Sequence, residues 1–228
     1  MDRATFELNF KTKIMKTTIT LVLMVFFMDP IIAVRTAFEK EMKVVLEQKD
    51  NSKNQTEFEE CADAFLKIQK KYENEWLPSY YAVNCYLTIS MEYATDMKSK
   101  DAWVDRAKAP MEFLTTNFSN ESEVWVLQSW YYASYLLVEP MTRGMTYGQK
   151  STAATMKALS IDPDNPRAQF LKYQNLKGRA QYTGEDTSEL CQNVAVSLNK
   201  FDDYPIKSDI YPSWGKDELA AILKQCKF

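Results

Sequence analysis

The chain has 228 residues, which is enough for one domain with a sizeable hydrophobic core. Its net charge of −3 gives no drive toward nucleic acid or anionic lipid. It contains no histidine, which removes the commonest general base, the Ser-His and Cys-His nucleophile pairs, and most zinc sites. We therefore expect a protein with no enzymatic activity, no cofactor and no metal.

Residues 1–36 are predicted to be a polar prefix followed by a secretory signal peptide. Lys16 gives a basic start, Ile19–Met28 is an apolar run, and small residues follow it. The alternative is a membrane anchor, but a span needs about 20 apolar residues, and Asp29-Pro30 interrupts this run. We expect export to the periplasm or outside the cell, with no membrane insertion after cleavage.

Residues 37–228 are predicted to form one helical domain. Only five glycines occur in the chain, and residues that favour helices fill the sequence. Polar segments at Lys98–Asp101 and Glu139–Gly144 are predicted to be loops, and Pro110 is expected to kink a helix. The predicted helices are Phe38–Gln48, Phe58–Tyr72, Pro78–Met97, Ala102–Leu114, Ser122–Val138, Tyr147–Ser160, Pro166–Tyr182, Leu190–Phe201 and Trp214–Cys226.

Helix starts recur at a fixed interval along the chain. Pro78, Ser122 and Pro166 each begin a helix, and successive starts are 44 residues apart. A fixed period in this range is the mark of a solenoid. At the last of these junctions Pro163 cannot continue the preceding helix, Asn165 is a good N-cap, and Pro166 suits the first helical position. The pattern predicts consecutive helical hairpins.

The junction Lys157–Ala168 resembles the one between tetratricopeptide repeats. Signature residues of that repeat fit at Tyr81, Trp125, Tyr132, Ala158 and Pro163, whereas Gln169 and Tyr173 depart from it. The resemblance implies an all-α fold, a right-handed α-solenoid of about four hairpins with a C-terminal capping helix. The chain is also similar to small exported tetratricopeptide-like proteins of Gram-negative bacteria in the stretches Trp76–Tyr81, Glu139–Met145, Lys157–Ala168 and Pro212–Lys216.

The resemblance implies a concave groove that binds a protein or peptide. The aligned groove positions include Tyr86, Trp130 and Phe170, with Arg167 and Gln174 beside them. The three rings would form an aromatic stripe, and aromatic anchors suit peptide recognition. The alternative is that these rings belong to the ordinary core between helices. A known subclass clamps a C-terminal carboxylate with lysine and asparagine, and those residues are missing here.

Arg143 is a second candidate binding residue, in the predicted loop between two helices. The alternative is a structural role, in which its side chain bonds the carbonyls at a helix C-terminus.

Four cysteines, Cys61, Cys85, Cys191 and Cys226, show no C-x-x-C spacing, so they signal neither a metal nor a redox motif. In an exported chain they are candidates for two disulfides, Cys61 with Cys85 and Cys191 with Cys226. The alternative is that they are small apolar residues buried between helices.

Two functions remain open from the sequence. The first is an exported, non-enzymatic scaffold that binds an unknown protein or peptide in its groove. The alternative is a small-molecule or glycan-binding module that uses an aromatic-lined groove. An elongated open groove would favour the first function, and an exposed planar aromatic platform would favour the second.

Overall fold

The structure is a computed structural model that describes residues 32–185 and 190–225. The chain divides into two compact units, Met1–Glu41 and Met42–Phe228. In the first unit the described residues, 32–41, are helical. The predicted signal run Ile19–Met28 lies outside the described residues. Within the described part of the chain no helix is long and apolar enough to cross a membrane.

The regular elements formed by the described residues of the second unit are all helices, with no strand among them, which confirms the predicted all-α fold. Residues 42–51 form α1. A π-helical segment, Ile89–Tyr93, directly continues α3. The other helices are α2 (Gln55–Lys71), α3 (Leu77–Thr88), α4 (Met97–Arg106), α5 (Lys108–Asn117), α6 (Ser122–Val138), α7 (Pro140–Ile161), α8 (Pro166–Thr183), α9 (Leu190–Asp203) and α10 (Lys216–Gln225).

The predicted helix starts agree with the structure to within one residue, because α3, α6 and α8 begin at Leu77, Ser122 and Pro166. At the last start the Asn165 side chain accepts hydrogen bonds from the backbone N–H groups of Arg167 and Ala168. These two N–H groups have no partner within the helix, so the side chain of Asn165 satisfies them. The helical hairpins are present, while their assignment to the tetratricopeptide family and the right-handed superhelix stay predictions.

The predicted helix Ala102–Leu114 is wrong, because two helices meet at Ala107. Pro110 has no N–H to donate to the carbonyl of Arg106, so the helical ladder is interrupted. The predicted loop Lys98–Asp101 is also wrong. These residues belong to α4, whose N-cap Asp96 forms a reciprocal capping box with Ser99.

The predicted loop Glu139–Gly144 is a further error. Pro140 opens α7, so Glu139 alone separates α6 from α7. Proline fits the first position of a helix because its missing N–H would have no partner there. Arg143 therefore lies on the first turn of a helix rather than on a loop.

The core of the second unit lies between successive helices. Consecutive helices pack in the pairs α2–α3, α6–α7, α7–α8, α8–α9 and α9–α10, while α6 also contacts α3 and α8. Ala158 is fully buried in a cluster with Val126, Ala168 and Phe170. The Oγ of Ser122 donates to the carbonyl of Ala158, at 3.0 Å. Small residues at this crossing let α7 approach α6 and α8 closely.

Candidate functional site

The predicted aromatic stripe is not an open surface. Tyr86 and Phe170 are only 3% and 6% exposed, so the expectation that these rings are accessible is wrong. Trp130 is partly buried, and its ring centroid lies 5.5 Å from that of Trp214. Phe170 also contacts Trp214, at 6.4 Å. We call the surface formed by Trp130 and Phe170, together with the residues that cover it, the aromatic groove.

Residues 204–215, between α9 and α10, cover this groove. The indole N–H of Trp214 donates to the Tyr80 hydroxyl at 2.7 Å, and the Tyr81 hydroxyl donates to the carbonyl of Ile210 at 3.0 Å. Tyr211 packs edge-on against Trp76. The chain thus supplies its own side chains where the sequence predicted a partner.

Gly215 ends the covering segment with a backbone φ of 103°, a conformation that favours glycine. A Cβ at this position would lie 3.0 Å from the Phe201 ring. Pro205 and Pro212 lie in the same segment and oppose its continuation as a helix. These residues explain locally why the segment stays irregular before α10.

Arg167 is not a groove residue but one half of a buried ion pair. Its Nε lies 2.9 Å from each carboxylate oxygen of Glu123, and both side chains are almost wholly buried. The Asn165 side chain donates to the same carboxylate at 2.7 Å. Glu123 and Arg167 are 44 residues apart and hold equivalent places in successive hairpins. The repeat therefore pairs opposite charges across the boundary between hairpins.

The other predicted residues have varied surroundings. Gln174 is exposed on α8. Among the repeat-signature residues, Tyr81 is buried, Trp125 donates its indole N–H to the carbonyl of Ser119, and Pro163 is exposed. Tyr132 is partly exposed and contacts Tyr131 and Tyr147.

Cys61 and Cys85 are buried free thiols, so the predicted disulfide between them is not formed in the structure. Burial raises the pKa of both thiols, which keeps them protonated and unreactive. The second predicted pair, Cys191 with Cys226, lies outside the residues whose side chains the structure describes.

A different region, between α4, α6 and α7, is open. A cavity of about 550 Å³ lies there, and Met97 and Lys98 on its wall are exposed to solvent. We call it the Arg143 cavity. Its lining combines apolar and charged side chains: Met97, Lys98, Asp101, Ala102, Asp105, Val138, Glu139 and Arg143.

Four tyrosines of α6 and α7 form a cluster beside this cavity. Tyr135 stacks on Tyr147 with ring centroids 5.0 Å apart, and Tyr132 lies 6.2 Å from Tyr147. Tyr131 contacts both Tyr132 and Tyr135. We call these four residues the tyrosine cluster. Except for Tyr131, their rings are partly exposed.

The tyrosine cluster is connected to the cavity by a hydrogen bond. The Tyr135 hydroxyl donates to the Asp105 carboxylate, which lines the cavity, at 2.5 Å. Burial, together with this bond, raises the pKa of Tyr135, so the phenol stays neutral and remains a donor. Lys150 lies 4.9 Å from the centre of the Tyr147 ring. Charged groups therefore flank an aromatic surface.

This cluster was not predicted from the sequence. The signal was present in α6, where Tyr131 and Tyr135 are one turn apart and Tyr132 adjoins them. It was missed because the following helix was expected to begin at Tyr147, with a loop before it. In the part of the chain that the structure describes, no group of three histidine, cysteine, aspartate or glutamate residues is placed to hold a metal ion.

The fold is that of an all-α protein built from packed helical hairpins. No family model matches the chain, and no curated protein matches it. Among solved structures, it is similar to the HusA haemophore from Porphyromonas gingivalis, with 25% sequence identity and a TM-score of 0.72. The match covers 84% of this chain and 94% of that one, so the likeness extends over nearly the whole fold.

Proposed function

We propose that this chain is an exported, non-enzymatic binding protein for a small planar ligand of the haem class. The observation that supports this proposal is the likeness to a haemophore over most of both chains. Export rests on the signal-like run Ile19–Met28. The alternative that the sequence left open, a small-molecule binder, is therefore preferred to the protein-binding scaffold.

The proposed binding site is the Arg143 cavity with the adjoining tyrosine cluster. Its volume of about 550 Å³ lies within the range of roughly 300–1,000 Å³ that is usual for small-molecule sites. The partly exposed rings of Tyr135 and Tyr147 supply a stacking surface for a planar ligand. Met97 and Val138 supply apolar contact, and the flexible thioether adapts to an irregular shape. Because the chain has no histidine, no imidazole is available to bind a haem iron.

A protein partner is the second candidate, and one observation favours it. Met141 and Met145 are 88% and 81% exposed, one turn apart on α7, and Leu137 is exposed at the end of α6. Exposed methionines are common at adaptable protein-binding surfaces. These three residues are not among those for which the sequence predicted protein binding.

Haemin titration of the purified chain, followed by absorbance, tests the proposed function. We expect saturable binding, because the cavity and the tyrosine rings together offer an apolar surface of suitable size. Ala102 lines the cavity and is exposed, so Ala102→Trp fills the cavity without disturbing the core. We expect this variant to bind haemin at least about tenfold more weakly, which is a loss of about 1.4 kcal/mol.

The matched control is Ala153→Trp, which adds the same ring at an exposed position of α7 outside the cavity lining. It should bind haemin like the parent chain. If the parent chain does not bind haemin, the haem-class ligand is wrong. If both tryptophan variants bind like the parent chain, the cavity is not the site.

A further inference from the structure

Arg143 is the residue of the cavity best suited to recognise a carboxylate. Its guanidinium donates a bidentate pair of hydrogen bonds to the Asp101 carboxylate, with Nη1–Oδ1 at 2.5 Å and Nη2–Oδ2 at 2.8 Å. Arginine favours this geometry for any carboxylate, including one carried by a ligand. Asp101 thus occupies the position that a ligand carboxylate would take.

The contact is accessible to a ligand. Both side chains line the cavity, and about a quarter of each is exposed: 26% for Arg143 and 28% for Asp101. A partly exposed ion pair contributes only about 0–1 kcal/mol, so replacing one carboxylate by another costs little. Glu139 lies 3.4 Å from the Nε of Arg143 and would keep the guanidinium in place after Asp101 had moved away.

The charged side chains that line the cavity carry a net negative charge. Its lining carries three carboxylates, Asp101, Asp105 and Glu139, against two cations, Lys98 and Arg143. An anionic ligand therefore meets an excess of negative charge. Removing this one carboxylate balances the charge and frees one edge of the guanidinium.

We infer that Arg143 is the carboxylate-recognition residue of the cavity and that Asp101 is an internal competitor that lowers its affinity for acidic ligands. This inference rests on the proposed function. It adds a specificity rule, since the pair distinguishes a planar ligand that carries carboxylates from the same ring system without them. The Arg143–Asp101 pair then determines which members of the ligand class are held tightly.

The test compares protoporphyrin, a dicarboxylic acid, with its dimethyl ester, which has the same ring but no negative charge. Asp101→Asn keeps the size of the side chain and removes its charge. We expect it to tighten binding of the acid about fivefold, in line with about 1 kcal/mol for an exposed pair, and to leave the ester unchanged. Arg143→Gln should weaken binding of the acid by a similar factor and also leave the ester unchanged.

Arg106→Gln is the matched control, because Arg106 pairs with Glu59 outside the cavity lining. It should change neither affinity. If Asp101→Asn and Arg143→Gln change the affinities for the acid and the ester by the same factor, or change neither affinity, the recognition role is wrong while the proposed function stands. If the parent chain binds neither porphyrin, the proposed function fails and this inference fails with it.

Discussion

Aromatic side chains form the aromatic groove and also lie beside the Arg143 cavity, yet the two regions differ in what covers them. Trp214 and Tyr211 lie over the groove, and the hydroxyls of Tyr80 and Tyr81 are bonded to the covering segment. The cavity has a charged, solvent-facing wall, and the tyrosines beside it are partly exposed. Aromatic residues at helical spacing therefore do not identify a binding surface until the remaining chain has been placed.

The two regions also differ in how deeply the ion pair in or beside each of them is buried. Glu123 and Arg167, next to the segment that covers the aromatic groove, are buried against each other, whereas the pair Asp101 and Arg143 at the cavity is partly exposed. A buried pair is strongly destabilising to break, while a partly exposed pair contributes little. The first pair therefore serves stability, and the second is available to a ligand.

The largest expected effect is that of Glu123→Ala. Removing this carboxylate leaves the guanidinium of Arg167 buried without its counter-charge, and such a loss typically costs about 3–5 kcal/mol. Urea unfolding monitored by circular dichroism measures the change. The equivalent truncation at the cavity, Asp101→Ala, should cost no more than about 1 kcal/mol.

A double variant, Glu123→Leu with Arg167→Met, checks the cause. It removes both charges and keeps apolar bulk, so it should be more stable than Glu123→Leu alone. If the double variant is the less stable of the two, the buried charge is not what makes the single change costly.

Trp214→Ala should have the next largest effect. Deleting a large aromatic side chain from a core typically costs about 3–5 kcal/mol, and we expect about 3 kcal/mol because Trp214 is only partly buried. The midpoint of urea unfolding gives the value. While the variant remains folded, its affinity for haemin should equal that of the parent chain, since the cavity lies elsewhere. A loss of haemin binding by the folded variant would instead make the groove the ligand site.

Ala158→Leu should cost about 1–3 kcal/mol, because the fully buried Ala158 packs beside Ala168 and leaves no room for a larger side chain. Its midpoint of urea unfolding should fall below that of the parent chain. The control Ala153→Leu adds the same bulk at an exposed position of the same helix and should be nearly neutral. Equal midpoints for Ala158→Leu and the parent would contradict the observed packing.

Alkaline pH should destabilise the region around the groove. Burial raises the pKa of Tyr80, Tyr81 and Tyr211, so the folded chain keeps these phenols neutral. Below about pH 10 the phenols are neutral in both states, and their contribution to stability is fully present. Above that pH the unfolded chain ionises first, and stability falls by about 1.4 kcal/mol per pH unit for each tyrosine.

Urea unfolding at a series of pH values above about 10 measures this slope. Tyr211→Phe removes one ionisable group, so its slope should be shallower by about 1.4 kcal/mol per pH unit. An unchanged slope would mean that Tyr211 ionises equally in the folded and unfolded chains.

Local patterns in the sequence predicted much of the fold but only part of the site. The helix start predicted at Asn165 and Pro166 was correct, because capping and proline geometry depend on neighbouring residues alone. The kink expected at Pro110 is a break between two helices, and Pro140 begins a helix where a loop was predicted, because the effect of a proline depends on its position within a helix. The cover supplied by Trp214 is a contact between residues distant in sequence, which no periodic pattern contains. For the same reason the partner of Arg143, 42 residues away, could not be predicted.

Hydrogen–deuterium exchange of the chain with and without saturating haemin shows whether haemin binds at the Arg143 cavity or at the aromatic groove. We predict that haemin slows exchange in α4 (Met97–Arg106) and in the first turns of α7, which together with α6 enclose the Arg143 cavity. Residues 204–215, which cover the aromatic groove, should exchange at the same rate with and without haemin. Protection confined to residues 204–215 and α8, with none in α4, would contradict the account.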